Sequence, residues 1–186
     1  NLSCALLIGM SLGFDLYHLL RNIDKLSISG RMNSINLGQD FYVLVDYAHT
    51  PNGLARLFEF TNKLEVNKKI VVTGNAGERD ASKRKYVGKL CVDNNDHVIF
   101  TYEDPRYEDP YNVVKDLCEL IKDKANYETV IDREEAINKA INMANKNDLV
   151  MILGKGCEDW QEIKGEFIEF SDIEKAKQAI MKRMNH

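Results

Sequence analysis

A nearly continuous apolar segment, residues 41–46, ends abruptly in polar residues. The segment reads Phe-Tyr-Val-Leu-Val before it ends at Asp46, and His49 follows three residues later. An apolar run of this length is typical of a strand that is buried on both faces, as in parallel sheets. In open α/β sheets, ligands bind beyond the carboxyl ends of the strands. The run therefore predicts a buried strand with a potential binding site at its end.

This run is one of five apolar segments, and stretches with helical periodicity separate them. Polar residues that favour helix starts open some of these stretches, as at Thr50-Pro51 and at Asp132 with Glu135. Strands and helices that alternate at this spacing form right-handed crossovers. We therefore expect an α/β fold with a Rossmann-like, mainly parallel sheet and helices on both faces. The strands are expected at 41–46, 69–73, 97–101, 127–131 and 148–153, and a C-terminal β-hairpin is expected within 161–170, turning at Lys164-Gly165.

The beginning of the chain follows a different pattern. Residues 2–13 and 15–23 predict a short helical segment of two helices, and Gly30-Arg31 then breaks the helical periodicity. Because the chain starts at Asn1 within an apolar stretch, we expect a fragment that begins in the last helices of a preceding domain. The stretch is too short to span a bilayer and lacks the basic residues that precede a signal peptide core. The expected domains are residues 1–32, the tail of a preceding ATP-binding domain with a hinge, and residues 33–186.

The composition disfavours several classes of protein. The chain has 186 residues, of which 44% are hydrophobic, enough for one substantial core. Its formal net charge of −4 disfavours a nucleic-acid partner, because no basic surplus is present to displace counterions. The four cysteines include no Cys-x-x-Cys pair, which disfavours a zinc site and a disulfide framework. We expect a cytoplasmic protein without membrane insertion.

Polar residues follow four of the five predicted strands. In a parallel sheet all of these groups would lie at the carboxyl edge, where a crevice forms. The arginines among them offer planar forks for a carboxylate or a phosphate, and the carboxylates would accept hydrogen bonds from an ammonium group. Cationic forks beside carboxylates fit a zwitterion, so an amino acid is the expected ligand. The groups are Asp46 with His49, residues 74–80, residues 103–106 and residues 154–159.

Each group alone also has a simpler structural interpretation. Arg106 could pair with Glu108 or Asp109 on the surface, residues 83–85 could form a solvated helix face, and glycines after strands often form turns only. Four groups at one edge favour a binding site over these interpretations. The chain contains no Gly-x-x-x-x-Gly-Lys-Ser/Thr phosphate loop. It also lacks a dinucleotide fingerprint, which argues against a nicotinamide oxidoreductase.

At these positions the sequence resembles the Mur ligases, and in particular those that add the third amino acid to the peptidoglycan stem peptide. Residues 46–51 match a signature of that family in full, and Gly30-Arg31-Met32 resembles its hinge. Residues 77–84 resemble its Gly-Gly-Asp-Arg-Asp motif and the Lys-Arg pair that follows. Residues 103–106 resemble its Asp-Asn-Pro-Arg motif, and residues 154–159 resemble its Gly-Lys-Gly-His-Glu-Asp motif. The resemblance covers essentially the whole chain.

The resemblance implies roles for the matched residues. It implies that the incoming amino acid is bound by Arg79, Glu103, Asp104, Pro105, Arg106, Gly154 and Glu158. It puts Arg31, Asp46 and His49 on the nucleotide side. The cofactors would be ATP and magnesium, bound mainly by the central domain of the family, which carries the phosphate loop. We therefore expect no catalytic residue and no metal ligand in this chain, and no activity from the chain alone.

The implied activity is that of an ATP-dependent acid–amino-acid ligase. In this family a carboxylate is activated as an acyl phosphate, and the amine of the incoming amino acid then attacks it. The implied partners are small molecules, UDP-N-acetylmuramoyl-L-alanyl-D-glutamate and a diamino acid. The product would serve cell wall biogenesis, and through it cell shape and cell division.

The resemblance leaves the identity of the added amino acid open. Arg106 favours a distal carboxylate, as in meso-diaminopimelate, because a guanidinium can hold it. Asp104 stands where the family usually has Asn and favours a distal ammonium, as in lysine. Cys157 replaces the usual His of the family.

Two other functions are compatible with the residues. A non-catalytic module could use the same crevice to hold an amino acid or a partner protein. A Mur-like ligase of the folylpolyglutamate or cyanophycin synthetase type would share the fold and act on another substrate. Those relatives have different sequences at residues 104–106 and 154–156, which disfavours the second alternative.

Overall fold

The computed structural model describes residues 2–21 and 30–185, and a six-stranded sheet forms the centre of this part. Its strands in chain order are β1 (Asn33–Ile35), β2 (Tyr42–Asp46), β3 (Lys69–Thr73), β4 (His97–Phe100), β5 (Tyr127–Thr129) and β6 (Leu149–Leu153). In space they follow the order β1-β2-β6-β3-β4-β5. All neighbouring pairs are parallel except β1 with β2, which is antiparallel.

Helices cover both faces of this sheet, and a hairpin follows β6. The helices α1 (Leu2–Ser11) and α2 (Leu16–Leu20) precede the sheet and contribute no residue to its core. The helices that cover the sheet are α3 (Pro51–Thr61), α4 (Arg84–Asn94), α5 (Pro110–Leu117), α6 (Arg133–Met143) and α7 (Asp172–Met184). The hairpin strands are β7 (Trp160–Ile163) and β8 (Glu166–Glu169), which pair antiparallel around Lys164-Gly165.

Two core layers form because alternate side chains of each strand point to opposite faces. All five residues of the central strand β6 are buried. Val150 and Ile152 pack in the layer that α6 and α7 cover, whereas Met151 packs in the layer that α3, α4 and α5 cover. Burial on both faces explains why this strand is a continuous apolar run.

The predicted fold is confirmed, including the mainly parallel sheet and the C-terminal hairpin. All five predicted strands are present with ends within two residues of the prediction. The predicted helix starts are also correct: Thr50 accepts from the N–H of Gly53 at 3.2 Å, and Asp132 accepts from that of Glu135 at 2.8 Å. Strand β1 was not predicted, because three residues at an edge carry too little periodicity to be recognised.

The N-terminal part contains the two predicted helices. Asp15 caps α2 by accepting from the N–H of His18 at 3.1 Å. The second helix was predicted to continue to residue 23, and residues 22–29 lie outside the described part of the chain. The domain division at residue 32 stays a prediction. Within residues 2–21 and 30–185, none of the helices has the length and apolar character that crossing a membrane requires.

Candidate functional site

The loops that follow β2, β3, β4 and β6 meet at the carboxyl edge of the sheet, around a cleft of about 360 Å³. The structure brings together seven of the ten residues that were predicted to bind ligands, and their individual roles stay predictions. These seven are His49, Arg79, Glu103, Asp104, Arg106, Gly154 and Glu158. The remaining lining residues are Tyr47, Asn75, Ala76, Lys83 and Trp160.

Asp46 and Arg31, which were assigned to the nucleotide, do not line this cleft. Asp46 is buried, and its carboxylate accepts hydrogen bonds from the backbone N–H groups of Met32 at 2.7 Å and Ala48 at 2.8 Å. The exposed Arg31 lies with its guanidinium carbon 4.9 Å from the centre of the Tyr47 ring. Asp46 thus organises the backbone near the predicted hinge, and Arg31 packs on an aromatic residue of the cleft.

Pro105 also lies outside the lining, where it sets the path of the loop after β4. Its carbonyl accepts from the N–H of Glu108 at 3.0 Å. The same carbonyl is so close to Gly77 that a Cβ at position 77 would collide with it. Gly77 in turn donates its N–H to the Asp104 carbonyl at 2.8 Å. The loops after β3 and β4 are therefore in direct backbone contact.

Lys155 is completely buried directly behind the lining of the cleft. Its Nζ lies 2.8 Å from Asp104 Oδ1 and 3.0 Å from Glu158 Oε2, and 5.1 Å from the centre of the Trp160 ring. Glu158 also accepts from the Tyr47 hydroxyl at 3.2 Å. The lysine therefore neutralises part of the charge of two carboxylates that were predicted to bind substrate.

Arg106 does not form the surface pair with Glu108 or Asp109 that its sequence neighbours suggested. Its Nε donates to Glu162 Oε2 of the hairpin at 2.9 Å, and its Nη1 donates to the Gly77 carbonyl at 3.2 Å. Neither contact uses Nη2. The guanidinium is thus held in a fixed plane at the cleft with one terminal nitrogen left for a ligand.

Glu103 and Asn75 present acceptor atoms to the cleft. Glu103 is 6% exposed, and burial raises the pKa of its carboxyl group to about 7, against the opposing effect of Arg133 and Lys155. Glu103 Oε1 and Asn75 Oδ1 are buried and have no hydrogen-bond partner among the described residues. Gly154 has a φ of +118°, which favours glycine, and a Cβ there would displace that oxygen of Glu103. Unpartnered buried acceptors suit a donor such as an ammonium group.

The raised pKa of Glu103 predicts a pH effect on stability. Between the ordinary value of 4.5 and about 7, the folded chain binds more protons than the unfolded chain, so the free energy of unfolding should fall as the pH rises through this window. Glu103→Gln should remove this loss. The difference in the free energy of unfolding between the variant and the unchanged chain should therefore shift in favour of the variant by on the order of 2–4 kcal/mol between about pH 4.5 and about pH 8. Urea unfolding at both pH values measures it. The exposed Glu166→Gln is the control, and equal pH dependence in all three proteins would contradict the assignment.

Several residues of the site were missed or misinterpreted from the sequence. Lys155 lies between two glycines, and nothing in its neighbours indicates complete burial. The interpretation of residues 83–85 as a solvated face is wrong for Arg84, which is 1% exposed. Cys157, which stands in place of the usual His, is exposed and does not line the cleft. In the described part of the chain, no cluster of three or more His, Cys, Asp or Glu side chains could hold a metal ion.

A mainly parallel α/β sheet with a polar cleft at its carboxyl edge assigns the chain to the class of Rossmann-like ligand-binding domains. Comparison with known families is more specific. The sequence model described as "Mur ligase, glutamate ligase domain" matches residues 30–156. The chain belongs to the Mur ligase family, and the resemblance that its motifs indicated is confirmed.

Individual relatives agree with this assignment. The UDP-N-acetylmuramoyl-L-alanyl-D-glutamate–2,6-diaminopimelate ligase of Listeria innocua is 34% identical over 185 residues, covering 99% of this chain and 38% of that protein. The ligase of the same name from Bacillus licheniformis is 42% identical over 154 residues, covering 83% of this chain and 31% of that protein. The chain thus spans less than two fifths of the length of these relatives.

Solved structures give the same result for the fold. The structure of a UDP-N-acetylmuramoyl-L-alanyl-D-glutamate–2,6-diaminopimelate ligase is 34% identical, with a TM-score of 0.79 over 98% of this chain and 37% of that one. The UDP-N-acetylmuramate-alanine ligase of Thermotoga maritima is 18% identical, with a TM-score of 0.60 over 97% of this chain and 36% of that one. At that identity the second likeness concerns the fold alone.

Proposed function

We propose that this chain is the amino-acid-binding part of an ATP-dependent ligase that adds 2,6-diaminopimelate to UDP-N-acetylmuramoyl-L-alanyl-D-glutamate in peptidoglycan synthesis. The observation that carries the proposal is the cleft in which four loops bring guanidinium groups and carboxylates together. The relatives that bear this name match nearly the whole chain, which supports the same substrate.

The balance of charge favours diaminopimelate over lysine. The ionisable lining consists of three cations (Arg79, Lys83 and Arg106) and three carboxylates (Glu103, Asp104 and Glu158), besides His49 and Tyr47. Directly behind the lining, Lys155 faces two of these carboxylates and Glu162 faces Arg106. The site is therefore close to neutral, as is a ligand with two carboxylates and two ammonium groups. Lysine has only one carboxylate, so one of the two arginines would have no carboxylate to bind. The contact with Lys155 neutralises part of the charge of Asp104, which weakens the argument from Asp104 for a distal ammonium.

The proposed roles follow from the donors and acceptors in the cleft. Arg106 would donate from its remaining Nη2 to one carboxylate of the amino acid, because its Nε and Nη1 already donate to Glu162 and Gly77. Arg79 would hold another carboxylate, to which a guanidinium can donate two parallel hydrogen bonds. Glu103, Glu158 and Asn75 would accept from its ammonium groups. Fixing the amino acid at both ends positions its reacting amine, and positioning of this kind can lower a barrier by about 7–11 kcal/mol.

ATP would supply the activation of the substrate carboxylate, and a preceding domain would hold most of the nucleotide and the magnesium ion. In the described part of this chain, only some of the residues assigned to the nucleotide are placed to contact it. Arg31 is exposed and could reach a phosphate, and His49 lies at the cleft. The carboxylate of Asp46 is occupied by two backbone N–H groups, so we assign it to the backbone near the hinge. A cytoplasmic location is part of the same proposal.

The test uses the complete ligase, by which we mean a protein in which this chain follows an ATP-binding domain with a phosphate loop. Product formation is measured with diaminopimelate, lysine or ornithine as the amino acid. We expect kcat/KM for diaminopimelate to exceed that for lysine by at least about 100-fold, because lysine lacks the second carboxylate and leaves a guanidinium of the cleft unpaired. A preference for lysine would refute the proposed substrate, and no amide product with any amino acid would refute the proposed function.

The chain alone provides the matching control. Without a phosphate loop it should neither hydrolyse ATP nor form product, and calorimetric titration should detect only weak binding of diaminopimelate. Tight binding by the chain alone would favour a non-catalytic amino-acid-binding module.

A further inference from the structure

Arg84, at the start of α4, is a buried arginine that connects two loops of the cleft without lining it. Its Nη1 and Nη2 donate to the two oxygens of Glu108 at 2.6 and 2.7 Å. Nη2 also donates to the Ala76 carbonyl at 3.2 Å, and Nη1 donates to Asp116 on α5 at 2.9 Å. One guanidinium thus contacts the loop after β3, the loop after β4 and the following helix.

Glu108 extends this connection. Its Oε2 also accepts from the backbone N–H of Glu78 at 3.0 Å, so the carboxylate links both loops by itself. Glu78 has a positive φ of 53° and immediately precedes Arg79. Arg106, with a φ of 54°, lies two residues before Glu108. The Arg84–Glu108 pair therefore fixes the backbone next to both arginines of the cleft, at two points where the chain has an unfavourable conformation.

We propose that Arg84 is a positioning residue that, through Glu108, holds Arg79 and Arg106 at the separation that a carboxylate-bearing amino acid requires. The proposal rests on the proposed function of the cleft. Two-pronged contact between a guanidinium and a carboxylate fixes distance and plane together, which a single charge cannot do. A displacement of about 1 Å in a positioned group can reduce the rate of a reaction by about 100-fold.

Stability alone does not account for this arrangement. A buried ion pair often stabilises a fold no better than apolar residues of similar volume would. Asp116 provides an internal comparison, because it bonds the same guanidinium but belongs to α5 and touches neither loop through that bond. Glu108→Gln and Asp116→Asn are therefore matched variants: each weakens one contact of Arg84, and only the first contact reaches the loops.

Hydrogen–deuterium exchange on the 186-residue chain tests the connection itself. Glu108→Gln and Arg84→Lys should each accelerate amide exchange in residues 74–80 and 103–108 together. Asp116→Asn should leave exchange in both segments unchanged. Acceleration in only one segment, or equal acceleration with Asp116→Asn, would overturn the proposed link whatever the ligand of the cleft is.

Kinetics of the complete ligase test the consequence for the ligand. Glu108→Gln and Arg84→Lys should raise KM for diaminopimelate by about 10-fold or more and leave KM for ATP unchanged. The double variant should be no worse than Arg84→Lys alone, because Arg84→Lys already removes the contact with Glu108. If the unchanged ligase forms product but these variants keep its KM for diaminopimelate, Arg84 does not position the arginines. If the unchanged ligase forms no product, the proposed function fails, and with it the role of Arg84 toward that ligand.

Discussion

Replacing Arg106 with alanine is expected to raise KM of the complete ligase for diaminopimelate by about 10- to 150-fold, the equivalent of one lost hydrogen bond to a charged group. Two effects act in the same direction. The ligand loses the Nη2 donor, and Glu162 loses the partner that lies 2.9 Å away. An unpaired carboxylate would then remain next to the cleft and repel the carboxylates of the ligand. Initial rates at varied diaminopimelate concentration measure the effect.

Two further variants separate charge from geometry at this position. Arg106→Lys retains the charge but cannot span Glu162, the Gly77 carbonyl and a ligand with one planar group, so KM should also rise. Glu162→Gln retains the arginine and should have a smaller effect than either change at position 106. KM for ATP and for the nucleotide-linked substrate should stay constant in all three. An unaltered KM for the amino acid in Arg106→Ala would remove Arg106 from the site.

Replacing Arg133 with methionine should cost about 3–5 kcal/mol in the free energy of unfolding, because it leaves Asp172 buried without a partner. Both side chains are completely buried, and Nε and Nη2 of the arginine donate to the two oxygens of Asp172 at 2.8 and 2.7 Å. Nη2 also donates to the Leu153 carbonyl at 2.9 Å. The loss would be a large part of the stability of a typical domain, about 5–15 kcal/mol. Urea unfolding of the 186-residue chain measures it.

A double variant is the control for this prediction. Arg133→Met with Asp172→Leu removes both charges, so most of the lost stability should return, since apolar replacements of a buried ion pair are often neutral. A single variant that loses less than about 1 kcal/mol would show that water or a rearranged partner reaches Asp172. A double variant as unstable as the single one would show that the Leu153 carbonyl, rather than the ion pair, dominates.

The fold was predictable because local signals and global topology agree in this chain. The apolar run of β6 indicated a strand, and cap residues such as Thr50 and Asp132 marked where helices begin. The polar loops were expected to meet because the carboxyl ends of parallel strands lie at the same edge of the sheet. Strand β1 was missed because three residues paired at an edge depend on their neighbour β2 rather than on their own pattern.

Partners of individual side chains were much less predictable. Arg106 pairs with a residue 56 positions later, and Arg84 with one 24 positions later, and in both cases nearer carboxylates in the sequence were available. Sequence distance does not indicate which side chains the loops bring within reach of each other. Lys155 illustrates the same limit, because its full burial depends on Asp104, 51 positions earlier, as well as on the nearby Glu158 and Trp160.

The buried lysine has a consequence for inhibitor design. A compound that directs a cation at Asp104 would compete with the amine of Lys155, which the protein already supplies, and would gain little affinity for the cost of its own dehydration. Glu103 and Asn75 have acceptor capacity left, and Arg106 has a nitrogen to spare. A compact compound with one amine directed at Glu103 and Asn75 and one carboxylate directed at Arg106 would bind the groups that have hydrogen-bonding capacity left.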